Sequence, residues 1–214
     1  MTLVHPEFLV STGWLADNLA DANVRVLDST VFLRPPAPDA DRRSYVQESG
    51  RSRYDEALVP GAIFADLIHD LSDTSARLPF TRPSSAQFAT AMSALGIGNG
   101  THVVCYDQGG AMWATRMWWL LRSFGHDHAS VLDGGWKKWT AEGRPVSAEV
   151  PVIQPASYAP KEKQSAWADK EEVLAAIATG GGACVINALT PEQHSGQSSA
   201  YGRAGHIAGS VNVS

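Results

Sequence analysis

The sequence predicts an α/β domain with a mainly parallel sheet and helices on both faces. Short apolar runs of strand-forming residues alternate along the chain with amphipathic helical patterns, which is typical of parallel sheets. The runs have the composition expected of strands buried on both faces. In addition, the order helix, strand, loop and Gly-rich turn recurs near the carboxyl end of the chain, which predicts a second, partial copy of the same domain.

The first, complete domain is predicted to span residues 1–145. Ser11 is expected to cap the first helix, and Gly96 and Gly143 are expected to end two later ones. The predicted elements, in chain order, are a helix after Ser11, a strand at 24–27, a long surface loop at 33–52, a strand within 59–66, a helix around Phe88, a strand at 103–106, a helix at 113–124, a strand at 129–132 and a helix through Trp139.

The stretch from His102 to Gly125 is the centre of this pattern. A buried strand is followed by a short loop, Asp107–Met112, and then by an amphipathic helix. Backbone N–H groups at the start of such a helix lack internal partners and lie at the positive end of the helix dipole. The loop is therefore predicted to hold an anion or a thiolate.

Composition and charge exclude several classes of function. The 214 residues carry a net charge of -5, which gives no overall basic field for nucleic acid. The amino terminus lacks a signal-peptide pattern, and no stretch approaches the roughly 18 apolar residues of a membrane helix. We therefore expect a cytoplasmic protein that binds neither nucleic acid nor a membrane.

Two cysteines occur, Cys105 and Cys184, and each lies in a predicted strand. Two thiols so far apart in the sequence form neither a disulfide framework nor a zinc site. We expect both to be buried core thiols, and we expect no metal site.

The chain after the first domain is predicted to be a linker, residues 146–165, and the start of a second domain, residues 166–214. The linker is rich in Pro, Ala, Ser and Lys and has no apolar periodicity. A helix from Trp167 to Ile177 closed by Gly180, a strand from Cys184 to Asn187, and Gly205–Ser214 then repeat the order of the first domain. By comparison with that domain, roughly 80 further residues are expected after Ser214.

Several motifs follow one another in order along the chain. Those of the first domain are Val26-Leu-Asp-Ser-Thr, Val59-Pro-Gly-Ala-Ile-Phe-Ala-Asp66, Val104-Cys-Tyr-Asp107, Ala114-Thr-Arg-Met-Trp-Trp119, Phe124-Gly-His126 and Val131-Leu-Asp-Gly-Gly-Trp136. Together they resemble the tandem-domain rhodanese family of thiosulfate and 3-mercaptopyruvate sulfurtransferases. Gly205-His-Ile-Ala-Gly-Ser-Val-Asn-Val resembles the opening of the family's second domain.

The resemblance implies a mechanism without metal or organic cofactor. In the family, a cysteine at the start of the second-domain loop takes a sulfane sulfur from a donor as a persulfide and passes it to a thiol or to cyanide. Here Asp107 stands at the matching first-domain position, so the loop is expected to be inactive. The catalytic cysteine is expected beyond Ser214, and residues 1–214 alone are expected to be inactive. The inactive loop consists of Asp107, Gln108, Gly109, Gly110, Ala111 and Met112.

The sequence departs from the family pattern in other places as well. Leu58 replaces a His, and Asn187-Ala-Leu189 stands where the second domain usually has Asp-Ala-Arg, whose Arg helps bind the anionic donor in many members. We therefore consider other residues as candidates for binding the donor: Arg203, His206, His69 and Asp70. His206 is interpreted first as a turn-stabilising residue, and Cys105 as a weak alternative nucleophile.

Two other classes of function remain as hypotheses. The first is a non-catalytic, rhodanese-like binding module, which Asp107 and Leu189 favour. The second is a cysteine phosphatase of related fold, which requires a Cys and a closing Arg around one anion loop. Asp107 and Trp113 stand at those ends of the loop, so the phosphatase hypothesis is the weakest.

Overall fold

The structure is a computed structural model that describes residues 5–35, 45–179, 183–199 and 203–214. The chain divides into two compact units. Unit 1 comprises Met1–Phe32 and Gln47–Gln164, and unit 2 comprises Leu33–Val46 and Ser165–Ser214.

The strands described up to residue 132 are, in chain order, β1 (Leu9–Val10), β2 (Val24–Asp28), β3 (Val31–Arg34), β4 (Val46–Ser49), β5 (Ile63–Phe64), β6 (His102–Tyr106) and β7 (Ala129–Leu132). Five of them form a sheet in the order β1-β7-β6-β2-β5, and every neighbouring pair is parallel. This confirms the predicted parallel sheet.

The helices of unit 1 are α1 (Thr12–Asn18), α2 (Arg51–Glu56), α3 (Ser85–Ala94), α4 (Met112–Ser123) and α5 (Gly135–Ala141). As predicted, the Ser11 hydroxyl caps α1 by accepting from the Trp14 N–H at 3.0 Å. Gly96 and Gly143 follow α3 and α5 with positive φ angles of 67°, a conformation that favours glycine.

The two faces of the sheet are covered by different helices. Side chains alternate between the faces along a strand. Val104 and Tyr106 therefore point to the face on which Leu15 of α1 and Trp139 of α5 pack. Val103 and Cys105 point to the other face, and α4 packs against β6 and β7. These strand residues are fully buried, as the predicted two-sided coverage requires.

The prediction of one long surface loop at 33–52 is wrong in part. β3 and β4 form a separate two-stranded sheet, and α2 begins at Arg51. The Pro-rich residues 36–44 lie outside the described part of the chain. Pro removes backbone donors only where it stands, so the flanking residues remain able to pair.

The segment predicted as a linker belongs to unit 1 up to Gln164. It has little regular secondary structure, but Ser147 pairs with Leu58 in an isolated antiparallel bridge. Tyr158 is only 7% exposed. This segment is therefore attached to unit 1 along its length.

Unit 2 contains α6 (Lys170–Thr179), β8 (Ile186–Asn187), α7 (Pro191–Ser195) and β9 (Val211–Asn212). β8 and β9 pair in parallel. The helix predicted from Trp167 begins three residues later, because Asp169 and Glu172 cap it reciprocally through backbone N–H groups, each at 2.8 Å. Gly180, its predicted end, lies outside the described residues.

Candidate functional site

The loop Asp107–Met112 joins the carboxyl end of β6 to the amino end of α4. In open parallel α/β sheets, ligands bind beyond the carboxyl ends of the strands. Ala111 caps α4 with a positive φ angle of 68°, which is uncommon for a residue with a Cβ atom. The predicted strand, loop and helix are all present, so the loop is placed where an anion site would be expected.

The Asp107 carboxylate fills the cradle that this loop forms. Oδ1 accepts from the N–H groups of Gly109 at 2.8 Å and Ala111 at 3.1 Å. Oδ2 accepts from the N–H groups of Trp113 and Ala114, each at 2.9 Å. Asp107 is 1% exposed. The four donors available to an external anion are thus already bound by an internal one.

With a carboxylate at this position, the loop lacks a nucleophile that could accept sulfur. A carboxylate oxygen does not form a stable bond to a sulfane sulfur, whereas a thiolate does. The amide donors and the helix dipole that would stabilise a thiolate remain in place. The N–H donors and the helix dipole are therefore suited to an anionic sulfur, but a carboxylate occupies the position instead of a thiolate.

Gln108 turns inward and anchors the loop to a buried carboxylate. Its N–H donates to the Thr30 hydroxyl at 2.9 Å. Its side-chain amide donates to Asp28 Oδ2 at 3.1 Å and to the Ala57 carbonyl at 3.0 Å. Asp28 is fully buried and also accepts from the Thr30 N–H and hydroxyl. Burial raises the pKa of Asp28, while these donors oppose the rise.

Two tyrosines extend this polar network beneath the loop. The Tyr106 hydroxyl accepts from the Val59 N–H at 3.2 Å, and the Tyr54 hydroxyl donates to the Ala62 carbonyl at 2.8 Å. Burial and the nearby Asp28 raise the pKa of Tyr106. The network therefore joins the loop to the Pro-Gly-Ala turn. The sequence analysis missed it, although Asp28 and Thr30 belong to one of the quoted motifs.

Replacing Gln108 with alanine is expected to lower the free energy of unfolding by about 2 kcal/mol, because Asp28 Oδ2 and the Ala57 carbonyl both lose the donor that Gln108 supplies in a buried site. Equilibrium unfolding in urea measures the change. Gln87→Ala is the matched control, since its amide donates to two carbonyls, those of Asp70 and Ser72, and to no carboxylate. Equal losses for the two variants would contradict a special role for Asp28.

The two cysteines have different surroundings. Cys105 is fully buried, as predicted, and burial raises the pKa of its thiol far above the usual range. A thiol that stays protonated is a poor nucleophile. Cys184, predicted as a buried strand residue, is exposed and precedes β8, so that prediction is wrong. Strand pairing starts only at Ile186, which leaves Cys184 outside the sheet.

His69 and Asp70 follow β5 at the same edge of the sheet. The His69 ring donates from Nδ1 to Asp66 Oδ2 at 2.9 Å, and this hydrogen bond raises the pKa of His69. Partial burial and the neighbouring Asp66 raise the pKa of Asp70. No hydrogen bond of either residue within the described chain reaches the Asp107 loop.

The other two candidates lie in unit 2. Arg203 is exposed. His206 is exposed as well, and its ring donates from Nδ1 to the His194 carbonyl at 2.7 Å while stacking on the His194 ring at 3.8 Å. Both contacts connect α7 to the Gly205 turn.

Within ranges 5–35, 45–179, 183–199 and 203–214, no cluster of three His, Cys, Asp or Glu is arranged to share a metal ion. None of the helices described is both long and apolar enough to cross a lipid bilayer.

Comparison with known proteins defines the class to which this fold and loop belong. A family model of the rhodanese-like domain matches residues 11–142, which include α1 to α5 and four of the five strands of the parallel sheet. The chain belongs to the rhodanese family.

Individual relatives agree with this assignment. The chain is 38% identical to thiosulfate sulfurtransferase of Cricetulus griseus over 172 residues, which cover 78% of the chain and 54% of that protein. It is 33% identical to the sulfur carrier protein TtuD of Thermus thermophilus, over all of this chain and 71% of that protein. The chain thus spans about half the length of the mammalian sulfurtransferases that it matches.

A solved structure supports the fold. The crystal structure of SseA from Escherichia coli, described as a 3-mercaptopyruvate sulfotransferase, aligns with 96% of this chain and 74% of its own. The TM-score is 0.78 at 29% sequence identity. The predicted rhodanese-like α/β fold is confirmed.

Proposed function

We propose that residues 1–214 belong to a sulfurtransferase in which unit 1 is the non-catalytic copy of the rhodanese-like domain. The observation that carries the proposal is the Asp107 carboxylate, which accepts from four N–H groups of the loop and of the start of α4, at the first-domain position that matches the family's second-domain cysteine. Relatives named for thiosulfate and for 3-mercaptopyruvate support the reaction class.

The proposed reaction moves one sulfur atom in two steps. A cysteine thiolate outside residues 1–214 attacks the sulfane sulfur of thiosulfate, and the S–S bond breaks to release sulfite. With 3-mercaptopyruvate it attacks the thiol sulfur instead, and the C–S bond breaks with its electron pair passing to the carbon as an enolate, which is protonated to pyruvate. The persulfide then gives its outer sulfur to a thiol or to cyanide. Loop N–H groups and a helix dipole would stabilise both sulfur anions, so the step requires no metal or organic cofactor.

The donor is a small anion, so cationic side chains are candidates for its binding. Arg203 carries a permanent charge, and the raised pKa of His69 favours its protonated form near neutral pH. His206 and Asp70 are the other candidates. Asp66 is the main cause of the raised pKa of His69, and the Asp70 charge adds to it. A cytoplasmic location remains a prediction from the sequence.

A second candidate is a non-catalytic binding module. The filled cradle at Asp107 and the Leu at position 189 favour it, because neither supplies a nucleophile or a charge for the donor. The two candidates differ in whether the gene encodes a Cys-x-x-Gly loop after Ser214.

The full-length protein tests the proposal. Incubated with thiosulfate or 3-mercaptopyruvate and cyanide, it is expected to release thiocyanate, and replacing the second-domain loop cysteine with serine is expected to abolish the release. The absence of thiocyanate with both donors would overturn the sulfurtransferase and leave the binding module.

A further inference from the structure

The segment 156–163, here called the strap, is held on unit 1 by hydrogen bonds from its own backbone. Four of its N–H groups donate to acceptors on α3, α4 and the loops that follow them. The bonds run from Ala156 to the Ser93 carbonyl at 3.0 Å, from Ala159 to Asn99 Oδ1 at 3.0 Å, from Lys161 to the Phe124 carbonyl at 2.8 Å and from Lys163 to the Ser123 carbonyl at 2.8 Å.

The strap lies on the Phe124-Gly-His126 motif, to which the proposed function assigns no role. Gly125 has a φ angle of 81°, and a Cβ atom there would collide with the Lys161 carbonyl. Tyr158 of the strap packs its ring 5.7 Å from that of Phe88 and 5.8 Å from that of His126. The motif is therefore shaped to accept the strap.

His126 lies at the centre of this contact with one nitrogen unpaired. Its Nε2 donates to the Thr101 carbonyl at 2.9 Å, so Nδ1 carries the lone pair of a neutral ring. Nδ1 is buried and has no hydrogen-bond partner in the described chain, and the same holds for the Tyr158 hydroxyl. His126 is 2% exposed. A proton on Nδ1 would thus place a positive charge in a buried site against the strap.

Charged and titratable neighbours surround this histidine on each packed element. Asp127 is paired with Lys163 at 2.5 Å and with Arg122 at 3.5 Å. The hydrogen bond from Lys163 lowers the pKa of Asp127, so this carboxylate stays ionised in mild acid. Burial raises the pKa of Tyr158, so its hydroxyl stays protonated. The remaining neighbours are His102 and His128, whose rings stack at 4.3 Å, and Glu162, which pairs with Arg82.

We propose that the strap is a pH-sensitive latch, docked on unit 1 while His126 is neutral and released when Nδ1 takes up a proton. Release frees the chain that leads from unit 1 to Ser165, where unit 2 resumes. Burial lowers the pKa of His126, and the hydrogen bond to the Thr101 carbonyl offsets this only in part.

The direction of the pH effect follows from this lowering. A released His126 has an ordinary pKa of about 6.5, so the released state binds the proton more readily than the docked state. Docking is therefore fully stable above about pH 6.5 and weakens as the pH falls toward the lower pKa of the docked state, by up to about tenfold per pH unit.

Hydrogen exchange of the 214-residue chain tests the latch. After correction for the intrinsic exchange rate, protection of residues 156–163 is expected to fall about tenfold between about pH 7 and about pH 5.5, while protection of β6 stays constant. His126→Gln keeps a donor toward Thr101 and removes the titration, so its strap is expected to stay protected. His128→Gln, a matched change at an exposed neighbour, is expected to behave like the wild type. Equal release in wild type and His126→Gln, or protection independent of pH, would overturn the proposal.

A second measurement requires no variant. The imidazole of His126 is expected to titrate in NMR spectra of the wild type with the same midpoint as the loss of strap protection. A His126 that takes up its proton while the strap remains protected would equally overturn the latch.

Discussion

Asp107→Ala is expected to lower the free energy of unfolding by about 3 kcal/mol or more, because it leaves four N–H donors at a helix start without their buried anion. Urea unfolding or calorimetry measures the loss. Asp133→Ala is the control, since the Asp133 carboxylate is about half exposed, is paired with Lys138, and is expected to contribute at most about 1 kcal/mol.

The empty cradle of this variant should bind an added anion. Formate has the carboxylate of the missing side chain, so it is expected to raise the melting temperature of Asp107→Ala in proportion to its binding. Formamide, similar in size and uncharged, should have little effect, and the wild type should respond to neither. A variant as stable as the wild type, or one indifferent to formate, would contradict the cradle.

Asp107→Cys is expected to convert the loop into a site that accepts sulfur. The introduced thiol would meet the same four N–H donors, which are expected to lower its pKa below the ordinary value of about 8.5. Position 107 is buried, but Gly109 and Gly110 of the same loop are exposed and carry no side chain, so they present little steric barrier to small reagents. With thiosulfate, the thiolate attacks the sulfane sulfur and sulfite leaves, so the protein should gain the mass of one sulfur atom.

Cys184 must be replaced by serine in this experiment because it is exposed, whereas Cys105 is buried and unreactive. The control is Thr115→Cys, at an exposed position on α4, the helix that follows the loop. Its backbone N–H is not one of the four that bind the Asp107 carboxylate. The loop thiol is expected to react with iodoacetamide near pH 7 about tenfold faster than this control. Equal rates of alkylation, together with no gain of mass from thiosulfate, would contradict the claim that the four N–H donors lower the pKa of a thiol at position 107.

The parallel sheet could be predicted because its strands are short apolar runs buried on both faces. Val103 to Tyr106 is such a run, and all four residues are buried. The spacing of Met117, Leu120, Leu121 and Phe124 is that of a helix buried on one side. Ser11 and Gly96 marked helix ends because capping depends on local backbone chemistry. These features depend on neighbours in the sequence.

The missed features depend on residues far apart in the sequence. Asp28 and Gln108 meet only because β2 and β6 are adjacent and end at one edge. The composition of the strap has no periodicity from which its contacts could be predicted, because its backbone is hydrogen-bonded to acceptors more than thirty residues away in the sequence. The sequence placed Asp107 in the loop, but the four bonds that fill the cradle became visible only with the fold.

The central claim is that residues 1–214 hold a sulfurtransferase loop whose anion site is filled by Asp107. The most direct test incubates the 214-residue chain with thiosulfate or 3-mercaptopyruvate plus cyanide and measures thiocyanate. We expect no more thiocyanate than forms without protein. Release at rates comparable to those of the full-length sulfurtransferase would contradict the account, and Cys105→Ser and Cys184→Ser would then identify the thiol responsible.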